Sequence, residues 1–289
     1  MAKIGAVSVG KGHEVKVMGI INASPESFFK GSVRTGAQEI AAAAREMQDA
    51  GAHIIDVGAM STAPYLDTII SVEEEVRRLK IAIEAVRSSC DLALSVDTPR
   101  AQVAVAAAKM GADAINDVTG LKYDRKMAGA AAGTGVPVIA GAYSLKRASG
   151  RGTAGTVKAL KESLAVAKKA GIRDVIVDPS IGFFRAEGQN PFFTKMTDAS
   201  WYARDLEILS SLAQLVPLGP VCVSTSRKSF IGHLLNLPVE QRLAPSIACE
   251  IVATLNGASL VRTHSVRETV QALMMLQLLL LRRPSSKRL

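Results

Sequence analysis

Eight short β-rich segments recur along the chain, each followed by a polar loop or a stretch with helical period, and this alternation limits the possible folds more than any other feature. The segments are 15–21, 53–57, 92–96, 114–116, 137–140, 174–177, 221–224 and 259–262. Between them, TGAQEIAAAAREMQDAGA, SVEEEVRRLKIAIEAVRSS, TPRAQVAVAAAKMGA and TVKALKESLAVAKKAGI carry apolar residues at helical spacing. Gly51, Gly111 and Gly171 stand where helices end, and Thr98 before Pro99 reads as an N-cap and first helical residue. Such alternation builds parallel βα units. Eight units favour closure into a single (β/α)8 TIM barrel of the α/β class, with a doubly wound open sheet as the alternative.

The 289 residues suit one barrel plus extensions. No linker or composition break divides the chain, so 1–289 reads as one domain, with a barrel core at about 15–281 and a basic tail at 282–289. Apolar residues make up 48% and aromatics 4%, which excludes a disordered chain and assigns the core to Ala, Val, Ile and Leu. The net charge of +9 suits anionic small-molecule ligands. No aromatic residues interleave a basic stripe, so no nucleic-acid partner is expected. Cys90, Cys222 and Cys249 are odd in number and in apolar contexts, as expected of free thiols in a reducing, cytoplasmic setting. No secretory signal is read at MAKIGAVSVGKGHEV. The run ALMMLQLLLL at 272–281 is too short to span a bilayer and reads as a buried final helix, so no membrane partner is expected.

In a barrel the C-terminal strand ends converge on one face, where active sites lie. Those ends carry Asn22, 56–62, Asp97, Asn116 with Asp117, 141–143, Asp178, 226–228, and Arg262 with His264. Taken singly, Asp56 and Asp117 read as helix caps. Taken together, Asp97, Asn116 and Asp178 suit a hydrogen-bond-accepting pocket for a heterocycle with several N–H donors. Asn22, Lys228, Arg262 and His264 suit an oxyanion such as phosphate, with or without a metal.

At this point the residues resemble a known family. MGIINASPESFF, IIDVGAMSTAP, SVDT, AINDVTG, VDPSIGFF, STSRKSFIG and VRTHSVRET are similar, in order and spacing, to the strand-end motifs of dihydropteroate synthases, pterin-binding TIM-barrel enzymes. The resemblance implies a transferase of folate biosynthesis. It condenses 6-hydroxymethyl-7,8-dihydropterin diphosphate with p-aminobenzoate, forming a C–N bond and releasing pyrophosphate. It further implies that Asp97, Asn116, Asp178 and Lys228 bind the pterin, and that Asn22, Arg262 and His264 bind the diphosphate. Mg2+ is the implied cofactor, with Asn22 as its protein ligand. Thr62, Pro64, Phe183, Arg185 and Ser229 are implied for the arylamine, Asp97, Lys228 and Asn22 for catalysis, and a homodimer for the assembly. The segment 23–34 is then a loop that closes over the reacting centre.

Three positions depart from the family pattern. Ala63 stands where an Arg is usual, Gly141 and Ala142 replace a Met-His pair, and Arg185 replaces a Lys. These keep a second synthase in view, the methanopterin-branch enzyme whose arylamine carries a ribosyl phosphate. A methyltetrahydrofolate-dependent methyltransferase and a non-catalytic pterin-binding protein are the remaining alternatives.

Overall fold

The computed structural model describes residues 1–27, 29–146, 152–196 and 200–281, so the basic tail expected at 282–289 lies outside the described residues. Eight parallel strands form the central sheet: β1 (Lys16–Asn22), β2 (Ile54–Gly58), β3 (Ala93–Asp97), β4 (Ala114–Asp117), β5 (Val138–Gly141), β6 (Val175–Asp178), β7 (Cys222–Val223) and β8 (Leu260–Thr263). Each lies within one residue of the expected segment at either end. Neighbours pair in chain order from β1 to β6, and β8 pairs with both β7 and β1. The join between β6 and β7 is a single parallel bridge, Val177 to Val221, and it closes the barrel. The open-sheet alternative is thereby excluded.

Helices α1 (Ala37–Asp49), α2 (Val72–Arg87), α3 (Ala101–Lys109), α4 (Met127–Thr134), α5 (Gly152–Ala170), α6 (Trp201–Ser210), α7 (Ser229–Leu235), α8 (Leu243–Leu255) and α9 (Val266–Leu281) surround it. The alanine-rich faces of α1, α2 and α3 pack on outward Val and Ile side chains such as Ile55, Val57 and Val96. Small side chains let helix and sheet approach closely, which explains how so few aromatics suffice. Gly51, Gly111 and Gly171 adopt φ of +91°, +101° and +84°, as helix-ending glycines should. Thr98 is not the cap of α3, which starts at Ala101; its hydroxyl instead donates to buried Glu75 at 2.7 Å.

Two features were not foreseen. The first residues form an antiparallel hairpin, Ala2–Ile4 with Val7–Val9. Ala2, Ile4 and Val9 cluster with Met18, Ile54 and Cys222 and plug the barrel floor. The final helix is also not buried as expected. Val266, Val270 and Leu273 pack toward Val17 and Ala52, whereas Met274, Met275, Leu278, Leu279, Leu280 and Leu281 are exposed. One face of α9 satisfies the barrel; the continuous apolar run supplies a second face that the barrel does not cover. No described helix is long and apolar enough to cross a membrane.

Candidate active site

Strand register builds the site. Asn22, Gly58, Asp97 and Asn116 are successive partners across β1 to β4 and therefore lie at one level with side chains on the same, inward face. Gly58 leaves a gap in this row, since a Cβ there would stand 3.7 Å from Asp97 Cβ and 3.9 Å from Asn22 Oδ1. Two residues earlier on β2, the same period-two rule turns Asp56 into the barrel one layer deeper. Its Oδ2 accepts from Arg262 Nε at 2.6 Å and from Asn116 Nδ2 at 3.1 Å. Arg262 Nη2 also donates to Asp97 Oδ2 at 2.9 Å. Asp56 Oδ1, Asp97 Oδ1 and Ser180 Oγ are buried without a hydrogen-bond partner. Buried oxygens of this kind call for a partner, which beside a cleft is either an ordered water or a donor on a bound ligand.

A recess of about 30 Å³ is lined by Asp97, Asn116, Asp178, Ser180, Lys228 and Arg262. It shares Asp97, Phe183, Ser224, Lys228 and Arg262 with an outer cavity of about 60 Å³, so the two are one cleft. The four residues expected at the pterin are thus together. Arg262, expected with the diphosphate set, lines both the recess, where its guanidinium bonds Asp56 and Asp97, and the outer cavity. Asn22 and His264 line the outer cavity.

Burial dominates the electrostatics. It pushes the Asp97 carboxyl up to about 7, with Arg262 pulling against it, and Asp178 is also raised. Burial, then the neighbouring Arg262 charge, brings the Lys228 ammonium down to about 8. The imidazole of His264 is held well below its ordinary range by burial and by Arg262, Lys228 and Arg227, so it is neutral at physiological pH. Its Nδ1 lies 3.1 Å from Ser226 Oγ. The set expected at the oxyanion therefore contains a neutral imidazole rather than a cation at this position.

The loop after β1 folds over this cleft. Asn22 Nδ2 donates to Ser32 Oγ at 2.7 Å, Arg78 Nη1 donates to Glu26 Oε1 at 2.9 Å, and the Phe29 ring stands edge-on to His264 at 5.4 Å. Ser27 lines the outer cavity.

Of the residues expected at the arylamine, Thr62, Pro64, Phe183 and Ser229 line the outer cavity. Arg185 stands behind them. Its guanidinium lies 3.6 Å from the Trp201 ring centroid and 5.5 Å from that of Tyr65, and it donates to Gly182 O at 3.2 Å and to Ser229 Oγ. Ala63, at the missing arginine position, is buried, and its carbonyl accepts from Asn190 Nδ2 at 2.7 Å. At Gly141 an added Cβ would lie 2.1 Å from Val118 O, which is why no methionine fits there.

Asp56, Tyr65, Ser180, Ser224 and Trp201 are among the residues at the site that sequence reasoning did not assign. For Asp56 a signal existed: a carboxylate inside the strand IIDVG, buried throughout, is costly unless it has partners. Asp117 does behave as a turn residue, accepting from Thr119 N and Leu121 N at 2.8 Å each.

The sequence profile of the family described as pterin binding enzyme matches residues 18–264. The dihydropteroate synthase of Clostridium beijerinckii is 35% identical, covering 97% of this chain and 100% of that relative. That of Bacillus subtilis is also 35% identical, covering 91% and 88%. Among solved structures, the Coxiella burnetii dihydropteroate synthase in complex with pteroic acid superposes with a TM-score of 0.79 at 34% identity, covering 91% of this chain and 92% of that one. The Xanthomonas albilineans enzyme with 4-aminobenzoic acid superposes with a TM-score of 0.80 at 33% identity, covering 92% and 93%. Strand-end motifs, barrel and relatives agree, and this chain belongs to the dihydropteroate synthase family of pterin-binding enzymes.

Proposed function

We propose that the protein acts as a dihydropteroate synthase, transferring the dihydropterin methylene from diphosphate to the amine of p-aminobenzoate. The observation that carries this reading is the pair of buried, unpartnered oxygens on Asp56 and Asp97 beside Asn116, Asp178 and Lys228. A pterin offers N–H donors on one edge and acceptors on the other, and this recess offers the complement.

In the reaction the methylene C–O bond breaks with its electron pair leaving on pyrophosphate. The arylamine nitrogen then forms the C–N bond and releases a proton. Asp97, ionised, stabilises the positive charge that develops on the ring, while Lys228 and Arg262 balance the recess. His264 binds the diphosphate as a neutral N–H donor. No protein nucleophile takes part. The folded loop, with Ser27 in the cleft wall and Phe29 against His264, excludes water from the cationic carbon.

Mg2+ remains part of the proposal. Among the described residues no group of three His, Cys, Asp or Glu side chains is arranged to hold a metal. The donor set instead suits a weakly held Mg2+ that takes most of its oxygens from diphosphate and water, with Asn22 supplying an amide oxygen. When bound, the ion supplies positive charge at the leaving group.

p-Aminobenzoate is preferred over a ribosyl-phosphate arylamine because Arg185 is committed to Trp201 and Ser229 rather than open to a phosphate. The exposed apolar face of α9, with Val252 and Leu255 of α8 beside it, supports a homodimer. Three unpaired cysteines support a cytoplasmic setting. The test is competition between the two amines at limiting pterin diphosphate. Dihydropteroate as the main product is expected; predominant ribosyl-phosphate product would overturn the choice of amine, and no product from either would overturn the activity.

A further inference from the structure

The turn 178–183 delivers two side chains to the cleft, Asp178 in the recess and Phe183, whose ring centroid lies 4.4 Å from Lys228 Nζ. It does so through two left-handed residues, one of them a serine, for which that conformation is uncommon. Ser180 has φ of +53° and Gly182 has φ of +83°. The restraint comes from outside the cleft, from the start of α6. Arg204 Nη2 donates to Pro179 O at 2.5 Å and to Thr156 Oγ1 at 2.8 Å; its Nη1 donates to Ser180 O at 3.2 Å and to Asp205 Oδ1 at 3.0 Å. Asp205 Oδ2 accepts from Gly182 N at 3.0 Å. One adjacent pair of side chains thus fixes the main chain of three residues in the turn. The Arg204 guanidinium is further clamped 3.8 Å over the Phe184 ring.

Both side chains are buried, at 1% and 0% exposure. A fully buried ion pair is a poor source of net stability, because desolvation offsets the attraction and apolar replacements of similar volume are often neutral or better. What this pair offers instead is geometry: a planar fork reaches two carbonyls and a hydroxyl at once, which an ammonium does not.

We infer that Arg204 and Asp205 are positioning residues for pterin binding, setting the carboxylate of Asp178 and the ring of Phe183 through the backbone of the turn between them. The inference rests on the proposal that Asp178 holds the pterin. Neither residue touches the cleft, so their effect on the pterin should run through Asp178 and appear in pterin affinity measured without the arylamine.

The test begins with calorimetric titration of the intact wild-type protein with 6-hydroxymethylpterin. Absence of binding there would sink the proposed function itself. With wild-type binding established, the double variant Arg204→Met/Asp205→Leu removes both charges without leaving either unpaired, and its melting temperature reports the fold. The expected result is a stable protein whose pterin Kd rises about tenfold or more while its melting temperature stays close to that of the wild type. A stable double variant with wild-type pterin affinity would overturn the inference. Should that variant fail to fold, Arg204→Lys decides: it keeps the ion pair but not the fork, and a Kd rise of about fivefold is expected. Unchanged affinity in Arg204→Lys would overturn the inference as well.

Discussion

Arg262 donates to Asp97 at 2.9 Å although the two stand 165 residues apart and belong to strands on separate arcs of the barrel. The same guanidinium holds Asp56 at 2.6 Å. One cation therefore organises two buried carboxylates while leaving an oxygen of each unpaired, and this arrangement ties the acidity of the site to its shape.

The first consequence is a narrow pH range for activity. With Asp97 at about 7 and Lys228 at about 8, kcat/KM should rise as Asp97 ionises and fall as Lys228 loses its proton. Arg262 lowers the Asp97 value and Asp56 raises it. Arg262→Met should therefore move the acid limb to higher pH, and Asp56→Asn to lower pH. Profiles of both variants check this; an acid limb that stays in place in each contradicts the assignment to Asp97.

A second pH effect lies away from the chemistry. Glu250 on α8 is buried, accepts from Thr269 Oγ1 at 2.7 Å, and is pushed up to about 7 mainly by desolvation. The folded value exceeds the ordinary one of 4.5, so folding favours the protonated acid. Its stabilising contribution is full below pH ~4.5 and lost as pH rises through about 7. Glu250→Gln should remove that slope and stabilise the protein at pH ~8 by up to roughly 3 kcal/mol. Denaturant midpoints of wild type and variant across pH measure it, and parallel curves would count against it.

At the arylamine end, Arg185 and Ser229 should act as a unit. Arg185→Ala should weaken p-aminobenzoate use by about 1 kcal/mol in KM, because it frees the Ser229 hydroxyl at the cavity wall, with little change in pterin affinity. In a Ser229→Ala background the same change should matter less, with a coupling of about 1 kcal/mol. Steady-state kinetics of the four proteins in the cycle provide the number; strict additivity would mean that Arg185 acts without Ser229.

Gly141→Ala tests the departure at the fifth strand end. A Cβ there would meet Val118 O at 2.1 Å and Val118 C at 2.6 Å, both backbone atoms that cannot yield as a flexible side chain would. The expected cost is about 3 kcal/mol or more, read as a lowered melting temperature. A variant as stable as wild type would show that β5 can shift to make room.

The eight strands and the residues at their ends were legible because both signals are local. A short Val and Ile run bounded by Gly or Asp declares a strand, and a polar residue just beyond it declares a strand end, so Asn22, Asp97, Asn116, Asp178 and Lys228 could be gathered on one rim before any coordinate was known. Asp56 and Asp117 show where that reasoning stops. Each is an aspartate in a short apolar strand, Asp117 at its last residue and Asp56 at its middle, and Asp117 caps its own turn while Asp56 faces inward to Arg262. The final helix carries the same lesson, since ALMMLQLLLL reads as buried but has only one covered face.

What the sequence determined by itself was the alternation of strand and helix, hence the barrel, and the chemical types available at its mouth. What only the tertiary structure decided was which of those groups meet. Arg262 bonds Asp56 and Asp97 while sharing the outer cavity with Asn22 and His264, Arg185 is sandwiched behind Ser229, and Arg204 with Asp205 holds the turn that carries Asp178. Periodicity fixes which face of its own strand a residue occupies. Partners across the barrel depend on register, closure and side-chain reach, which belong to the packed chain as a whole.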